Sequence, residues 1–327
     1  MTLAPSLARA QVDDAVGVRA QGMAGAFTAV AEDATATWWN PAGLASGAYF
    51  SAILEFNQLR EPRSDRDAAG GPTSAWRIGT GGFAVAFPAL GLSYYRLKIN
   101  AIQAADGNVA GRQDQGTADV RLRSLVLSQF GVTMEQSVGP HLVIGSTVKL
   151  VRGGLGVGRA PRPTASLSDA SALDGETETH AGLDLGVMAV YGAARVGIAV
   201  RNVRQLEFGS GDDALALRRH ARAGFAYSSA AQTRNGGVTV AVDTDLTTTS
   251  TAVGDERRIA AGIEAWSPRR SLGIRGGIGT NTLGGKRSSF SGGASVAFRA
   301  SMYLDASITR GGDASRQGWG GALRVTF

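Results

Sequence analysis

The chain has 327 residues, of which 33 are Lys or Arg, 27 are Asp or Glu and none is Cys, for a formal charge of +6. The missing cysteine excludes a disulfide framework, a thiol nucleophile and a cysteine metal site, and the lack of any apolar run near about 18 residues excludes a transmembrane helix. No basic run exceeds a pair such as Arg218-Arg219 or Arg269-Arg270, so nucleic acid is not an expected partner, because its footprint needs arginines gathered on one face with aromatics between them.

Residues 1–10 read as the remnant of an export signal. Ala8-Arg9-Ala10 before Gln11 has the small-x-small form of a signal-peptidase site, and Leu3 to Leu7 would close an apolar core, although no basic residue precedes it. Residues 11–46 form one compact unit, dense in Gly and Ala. Asp13-Asp14 could cap a short helix through Ala15, Val16 and Val18. Gly22 and Gly25 make a slim run that other backbones can approach. Phe27, Asp33, Trp38 and Trp39 follow, and Asn40-Pro41-Ala42 is a turn, with Pro fixing φ and Asn able to bond its own backbone.

From 47 to 327 the chain repeats a single unit, an alternating apolar run and then a connector. Fourteen strands are expected, near 47–58, 76–87, 89–100, 118–134, 141–152, 179–191, 194–205, 217–228, 235–246, 256–266, 270–280, 286–298, 300–309 and 317–327. Most match the ~9–11 residues of a tilted membrane-spanning strand plus a wetted end. Near residue 305, Met302, Leu304, Ala306 and Ile308 face one way while Tyr303, Asp305, Ser307 and Thr309 face the other. Such alternation makes a wall with two unlike sides, but a soluble sandwich alternates too.

The connectors separate these cases. Long ones at 59–75, 101–117, 153–178, 206–216, 247–255, 281–285 and 310–316 alternate with short ones at Pro88, 135–140, Gly192-Ala193, 229–234, 267–269 and Arg299. An antiparallel meander then puts every long connector at one rim, as in outer-membrane barrels. The expected fold is therefore all-β: an antiparallel transmembrane barrel of about 14 strands with residues 11–46 as a plug in the lumen. Barrels of about 8 strands are filled by side chains and those of about 16 hold a water channel, so this lumen would be open without its plug. Tyr49, Trp76, Tyr94, Tyr191, Tyr227, Trp266, Trp319 and Phe327 fall near strand ends, as interfacial girdles require.

Catalytic chemistry is sparse. His141, His180 and His220 share no metal-ligand spacing, and His180 with Glu176 and Glu178 is the one local cluster. The glycine string Gly153 to Gly158 lacks the strand-to-helix context of a phosphate loop. Neither enzyme activity, a metal nor a cofactor is expected.

The run from Gly22 and Gly25 through Phe27 and Asp33 to Asn40-Pro41-Ala42 resembles the amino-terminal hatch of the FadL superfamily of bacterial outer-membrane proteins. The resemblance is specific over residues 17–48. It implies localisation in the outer membrane with lipid around the wall, and one of two roles. One is uptake of hydrophobic, fatty-acid-like small molecules, as in the fatty acid transporters. The other is a non-transporting component that binds secretion-system or surface-attachment proteins, as in the PorV-type branch. Connector 153–178 is shorter and less apolar than the ligand-binding loops of the fatty acid transporters, which favours the smaller branch. In the transporters cargo leaves through a gap beside a kinked early strand; here Gly79, Gly81, Gly82, Pro88 and Gly91 would supply such a gap. The closing aromatic, Phe327, looks like the signal read by the barrel assembly machinery. An apolar pocket above Phe27, Trp38 and Trp39 would favour transport. A lumen lined by Arg121, Arg123, Asp184, Arg201, Asp243, Asp245, Arg258 and Asp305 without such a pocket would favour docking.

Overall fold

A computed structural model describes residues 8–9, 13–62, 75–104, 119–161, 164–210, 214–229, 236–251, 254–283, 287–312 and 316–327. Its wall strands are β1 (Ser51–Pro62), β2 (Ala75–Phe87), β3 (Leu90–Ala104), β4 (Asp119–Val138), β5 (Leu142–Pro161), β6 (Thr177–Tyr191) and β7 (Ala194–Arg201). They continue with β8 (His220–Ser228), β9 (Gly237–Asp245), β10 (Arg258–Trp266), β11 (Leu272–Asn281), β12 (Ser288–Arg299), β13 (Met302–Gly311) and β14 (Gln317–Thr326). Each pairs antiparallel with its sequence neighbour, and β14 pairs with β1 to close the cylinder. Closure leaves no edge strand, so every strand backbone finds a partner without water.

The two faces of the wall differ as period-2 alternation requires. On β13, Leu304 and Ile308 point out and are exposed, while Tyr303, Asp305, Ser307 and Thr309 are buried inside. Every wall strand turns at least one large apolar side chain outward, among them Phe56, Phe130, Leu150, Phe225, Ile274 and Trp319. In water such a belt would forgo roughly 1.5–3 kcal/mol per side chain. Across fourteen strands that penalty is unsupportable, and the belt belongs in lipid. This is a transmembrane β-barrel.

Connector lengths sort by rim for most links. The short-turn rim carries links of two to five residues between β2 and β3, β4 and β5, β6 and β7, β10 and β11, and β12 and β13, with an eight-residue link between β8 and β9; the opposite rim carries links of 12 to 18 residues, with two exceptions of six and five residues that lead into β12 and β14. The strands themselves are longer than the alternation suggested on one side of the barrel. β4 extends to Val138 and β5 to Pro161, so most of the expected turn 135–140 and the first part of connector 153–178 are paired strand. The glycines of 153–158 do not break β5, because they are seats: a Cβ at Gly156 would overlap Leu173, and one at Gly158 would press on its side chain. A short helix α3 (Leu167–Ser171), closed by a Ser166–Asp169 capping box, packs there, with Ala170 buried beside Ile102 and Leu122.

Residues 13–47 lie inside the cylinder. They comprise a 3-10 turn at Asp13–Ala15, helix α1 (Val18–Gly22), helix α2 (Ala36–Trp39) and a 3-10 turn at Pro41–Ser46. Of the export-signal region the structure describes only Ala8 and Arg9, whose backbone pairs in parallel with Leu215 and Ala216. Leu215–Leu217 pairs in turn with Leu206–Phe208, giving a three-stranded lid in the long connector between β7 and β8. The leading segment therefore runs from the long-loop rim, where Ala8 and Arg9 pair, to the short-turn rim, where it enters β1.

Three expectations need correction. Asp14 does not cap α1; Gly17 holds that position without a side-chain bond, and the Asp14 carboxylate turns to arginines of the wall. Trp76 and Trp266 are not girdle residues: their strand parity points them into the lumen, where both are buried. The ladders on both sides of β2 run in unbroken register over Gly79, Gly81 and Gly82, so no lateral gap opens at 79–91. A Cβ at Gly79 would meet open space, but the other glycines have packing reasons. A Cβ at Gly82 would overlap the Tyr95 ring, one at Gly81 would press on Phe56, and Gly91 makes room for Thr37 of the leading segment. Pro88 lies in the turn between β2 and β3, where no ladder donor is needed.

Candidate functional site: the stoppered lumen

The motif residues fasten the leading segment to itself and to the wall. Gly25 has φ +87, a left-handed conformation that glycine adopts freely. This brings the chain round so that the Phe27 and Thr28 amides donate to the Asp243 carboxylate of β9 at 3.1 and 2.8 Å. Phe27 sits edge-on to Trp39, with centroids 5.9 Å apart. Asp33 accepts from the Thr35 amide at 2.9 Å and from the Arg19 guanidinium at 3.2 Å. Trp38 meets Tyr95 of β3 edge-on at 5.3 Å and carries the Arg201 guanidinium 3.5 Å above its ring. The Trp39 indole donates to the Val16 carbonyl at 3.0 Å.

Asn40 holds three points at once. Its amide nitrogen donates to the carbonyls of Thr28 at 2.9 Å and Val187 at 3.3 Å, and its oxygen accepts from the Ala42 amide at 3.2 Å. Pro41 and Ala42 settle on a patch of wall with no side chains. A Cβ at Gly145 would overlap Pro41 and Ala42, and one at Gly186 would overlap Asn40. Across the lumen Gly262 and Gly277 do the same for Met23, and Gly197 and Gly224 for Thr28. Much of the glycine in the wall thus marks where the plug touches it.

Charge locks the contact. Asp14 meets Arg222 at 2.7 Å, Arg258 at 3.4 Å and Arg316 still more closely. Burial opposes its ionisation, but the arginines outweigh that cost and hold the Asp14 carboxyl well below the usual range. Arg19 meets Glu264 of β10 at 2.5 Å, together with Asp33 and Glu32, both at 3.2 Å. The carboxylate of Glu55 on β1 accepts the amides of Gly17 at 2.8 Å and Val18 at 3.0 Å. Removing one partner of such a buried set strands the other, which costs about 3–5 kcal/mol. Sequence reasoning did not single out Glu55, Arg222, Glu264 or Arg316. The available signal was a charged residue at some inward positions of an otherwise apolar-alternating strand; of the residues expected on that ground, Arg123, Asp184, Arg201, Asp243, Asp245, Arg258 and Asp305 are buried and Arg121 is half-buried.

The lumen has two unlike sectors. Around β6 to β14 it is charged and ion-paired. On β3 to β5 it holds an apolar stretch: Tyr95, Leu97, Ile99, Leu125, Leu127 and Val151 belong to one buried cluster with Trp38 below and Leu206 and Phe208 of the lid above, bordered on the same strands by the buried Arg123 and by Lys149, which pairs with Asp184 at 2.6 Å. Tyr95, Leu97 and Ile99 stack along one strand face, so at ~3.4 Å per residue the seam spans about 13 Å. Leu127 lies opposite Gly153, and a Cβ there would overlap the Phe208 ring. The seam is closed. Cavities beside Trp38 and Trp39 measure only about 20 and 10 Å3, room for about one water each. No open apolar pocket lies above the two tryptophans in these cavities.

His180, on β6, touches the lid. Its ring meets Phe208 edge-on at 5.0 Å, and its Nε2 lies 3.2 Å from Glu178, whose other oxygen accepts the Gly209 amide. Among the described residues no group of His, Asp and Glu could hold a metal ion.

The sequence matches a protein family described as F plasmid transfer operon, TraF, protein, over residues 9–245. No curated protein matches it in sequence. Among solved structures it superposes on a Pseudomonas aeruginosa FadL homologue with a TM-score of 0.61 at 12% identity, covering 96% of this chain and 98% of that one. It superposes on the CymD monoaromatic hydrocarbon channel with a TM-score of 0.61 at 14% identity over 96% and 98% of the two chains. For the Ralstonia pickettii toluene transporter TbuX the values are 0.58, 14%, 96% and 99%. The chain shares the fold of these barrels.

Proposed function

We propose that this chain, which belongs to the F plasmid transfer operon TraF protein family, is an outer-membrane channel for small apolar molecules, stoppered by its own leading segment. The carrying observation is the apolar seam from Phe208 to Trp38, which is bordered by charged lumenal residues such as Arg123 and Lys149. A side chain such as Leu127 has no reason to face a water-filled lumen unless something apolar covers it. In the closed state the lid and Trp38 cover it; in transit the cargo would. The shared fold with the monoaromatic hydrocarbon channel and the toluene transporter supports the same reading.

Among the described residues the cavities beside Trp38 and Trp39 hold no cargo-sized space, so passage there needs the lid and the plug to move. Cargo would enter at the long-loop rim, pass Phe208, follow the seam to Trp38 and leave past the displaced plug. Since the β1–β2–β3 ladder is continuous, the route runs along the barrel axis.

Leu127→Lys tests this. A lysine there would put an unpaired cation in the seam, which costs several kcal/mol unless water follows it in. Toluene uptake by cells carrying the variant is expected to fall about tenfold or more, while the barrel keeps its heat-modifiable gel migration. Unchanged uptake, or no uptake by the parent chain, would leave the seam without cargo. The barrel would then be a platform for protein partners, the role implied by the PorV-type branch.

A further inference from the structure

A second opening lies at the short-turn rim and is separate from the seam. It is a cavity of about 580 Å3 whose floor is the Arg19–Glu32–Asp33 cluster of the plug. Its walls include the lumen-facing Tyr303 and Arg324, and its lip is the turn carrying Arg269 and Arg270. Four arginines face it against two carboxylates.

The arginines are not equivalent. Arg19 is committed to Glu264 and Asp33, and Arg324 to Asp305 at 2.8 Å. Arg269 and Arg270 make no ion pair among the described residues; Arg270 rests 4.8 Å over the Trp266 ring. Both sit in the left-handed region, at φ 66 and 53. Glycine or asparagine is the usual residue there, because a side chain strains the backbone. Two adjacent arginines accept that strain and place two uncompensated charges on the lip of a cavity. Strain held at one point by the surrounding structure is a feature of binding sites.

We propose that this cavity docks an acidic segment, bearing aromatic or aliphatic side chains, of a soluble partner protein on the short-turn side. The lining argues for a peptide. Tyr303 and Arg324 face the lumen, so the opening meets water beneath the barrel and not the bilayer. Tyr303, Phe327 and Ala48 add apolar surface that a free phosphate would not use. The site stands whether or not apolar cargo passes through the seam. Its floor is the plug's own ion-pair cluster, so a bound segment would touch the groups that hold the plug in place.

The test uses the full chain in detergent micelles and a short rhodamine-labelled peptide of alternating glutamate and phenylalanine, read by fluorescence anisotropy. The peptide is expected to bind, and the lysine–phenylalanine counterpart is not. The double variant R269E/R270E is expected to weaken binding by about tenfold or more. The double variant R269G/R270G is expected to bind as poorly, yet to unfold at the same or a higher temperature, because glycine relieves the turn. Equal binding of both peptides, or unchanged binding by the glycine variant, would overturn the proposal. Displacement of the peptide by inorganic phosphate or by phosphatidylglycerol micelles at matched concentration would also overturn it, by showing a generic anion or headgroup site.

Discussion

Arg222→Leu is expected to loosen the plug while leaving the wall standing. The guanidinium bonds Asp14 at 2.7 Å and Asp245 at 2.7 Å, and lies 5.4 Å over the Trp39 ring. Leucine fills part of the space but leaves two buried carboxylates short of a partner. Breaking a buried pair from one side costs about 3–5 kcal/mol. Asp14 keeps Arg316 and Arg258, so the lower end of that range is expected. The wall loses nothing comparable, since the backbone pairing of β8 with β7 and β9 does not involve this side chain. The variant should keep its heat-modifiable migration, expose residues 15–44 to protease, and make cells sensitive to large antibiotics. Adding Asp14→Asn should restore part of the loss, because it removes one stranded charge; fully additive effects would mean that the two residues do not act on each other.

Deleting residues 15–44 should have a larger effect. The plug fills the width of the lumen, with Val16, Phe27, Trp38 and Asn40 all buried against the wall. A fourteen-strand wall without it lies between the filled and the water-conducting sizes. Its lumen would be lined by Glu55, Asp243, Glu264, Arg222 and Arg275, now wetted. In planar bilayers the parent chain should be silent and the deletion should conduct ions steadily. Because the fastening points are spread around the wall, the deletion should also lower thermal stability. A silent deletion variant that still migrates as a folded barrel would mean that something other than residues 15–44 closes the lumen.

The wall was legible in the sequence and the contacts inside it were not. Alternation along β13 and β14 fixed both strands and their faces, because an apolar side chain every second residue leaves no other arrangement. Reading the chain as a meander gave the order around the cylinder, since sequence neighbours pair throughout, and connector length marked the rim for most links but not for 229–236, 282–287 and 312–316. Glycine was harder to read. Gly79, Gly81 and Gly82 looked like breaks, whereas Gly81 and Gly82 leave room for Phe56 and Tyr95, and the ladder runs through Gly79, where a Cβ would meet open space. The glycines that matter most, Gly145, Gly186, Gly262 and Gly277, drew no notice, because a missing Cβ gives no sign of what occupies its place. Charge had the same ambiguity: Glu55 on an alternating strand reads as a wet lumenal residue until Gly17 and Val18 are seen to need its oxygens. The strand-end aromatics Trp76 and Trp266 were misassigned because position along a strand is visible in sequence sooner than which face meets lipid.

A reversible lock offers the most direct measurement. The chain has no cysteine, so a pair introduced as Thr28→Cys and Gly224→Cys would be the only one present. A Cβ on residue 224 would stand 3.1 Å from that of Thr28 and would overlap the Asp243 carboxylate, so both must move out by a few tenths of an ångström to reach the roughly 3.5–4.5 Å of a disulfide. Toluene uptake should stop when the pair is oxidised and return to the parent rate on reduction, because the plug must leave its seat for cargo to pass. Equal uptake in the two states, with the crosslink verified by mass, would show that cargo crosses without moving the plug, or does not cross through this barrel.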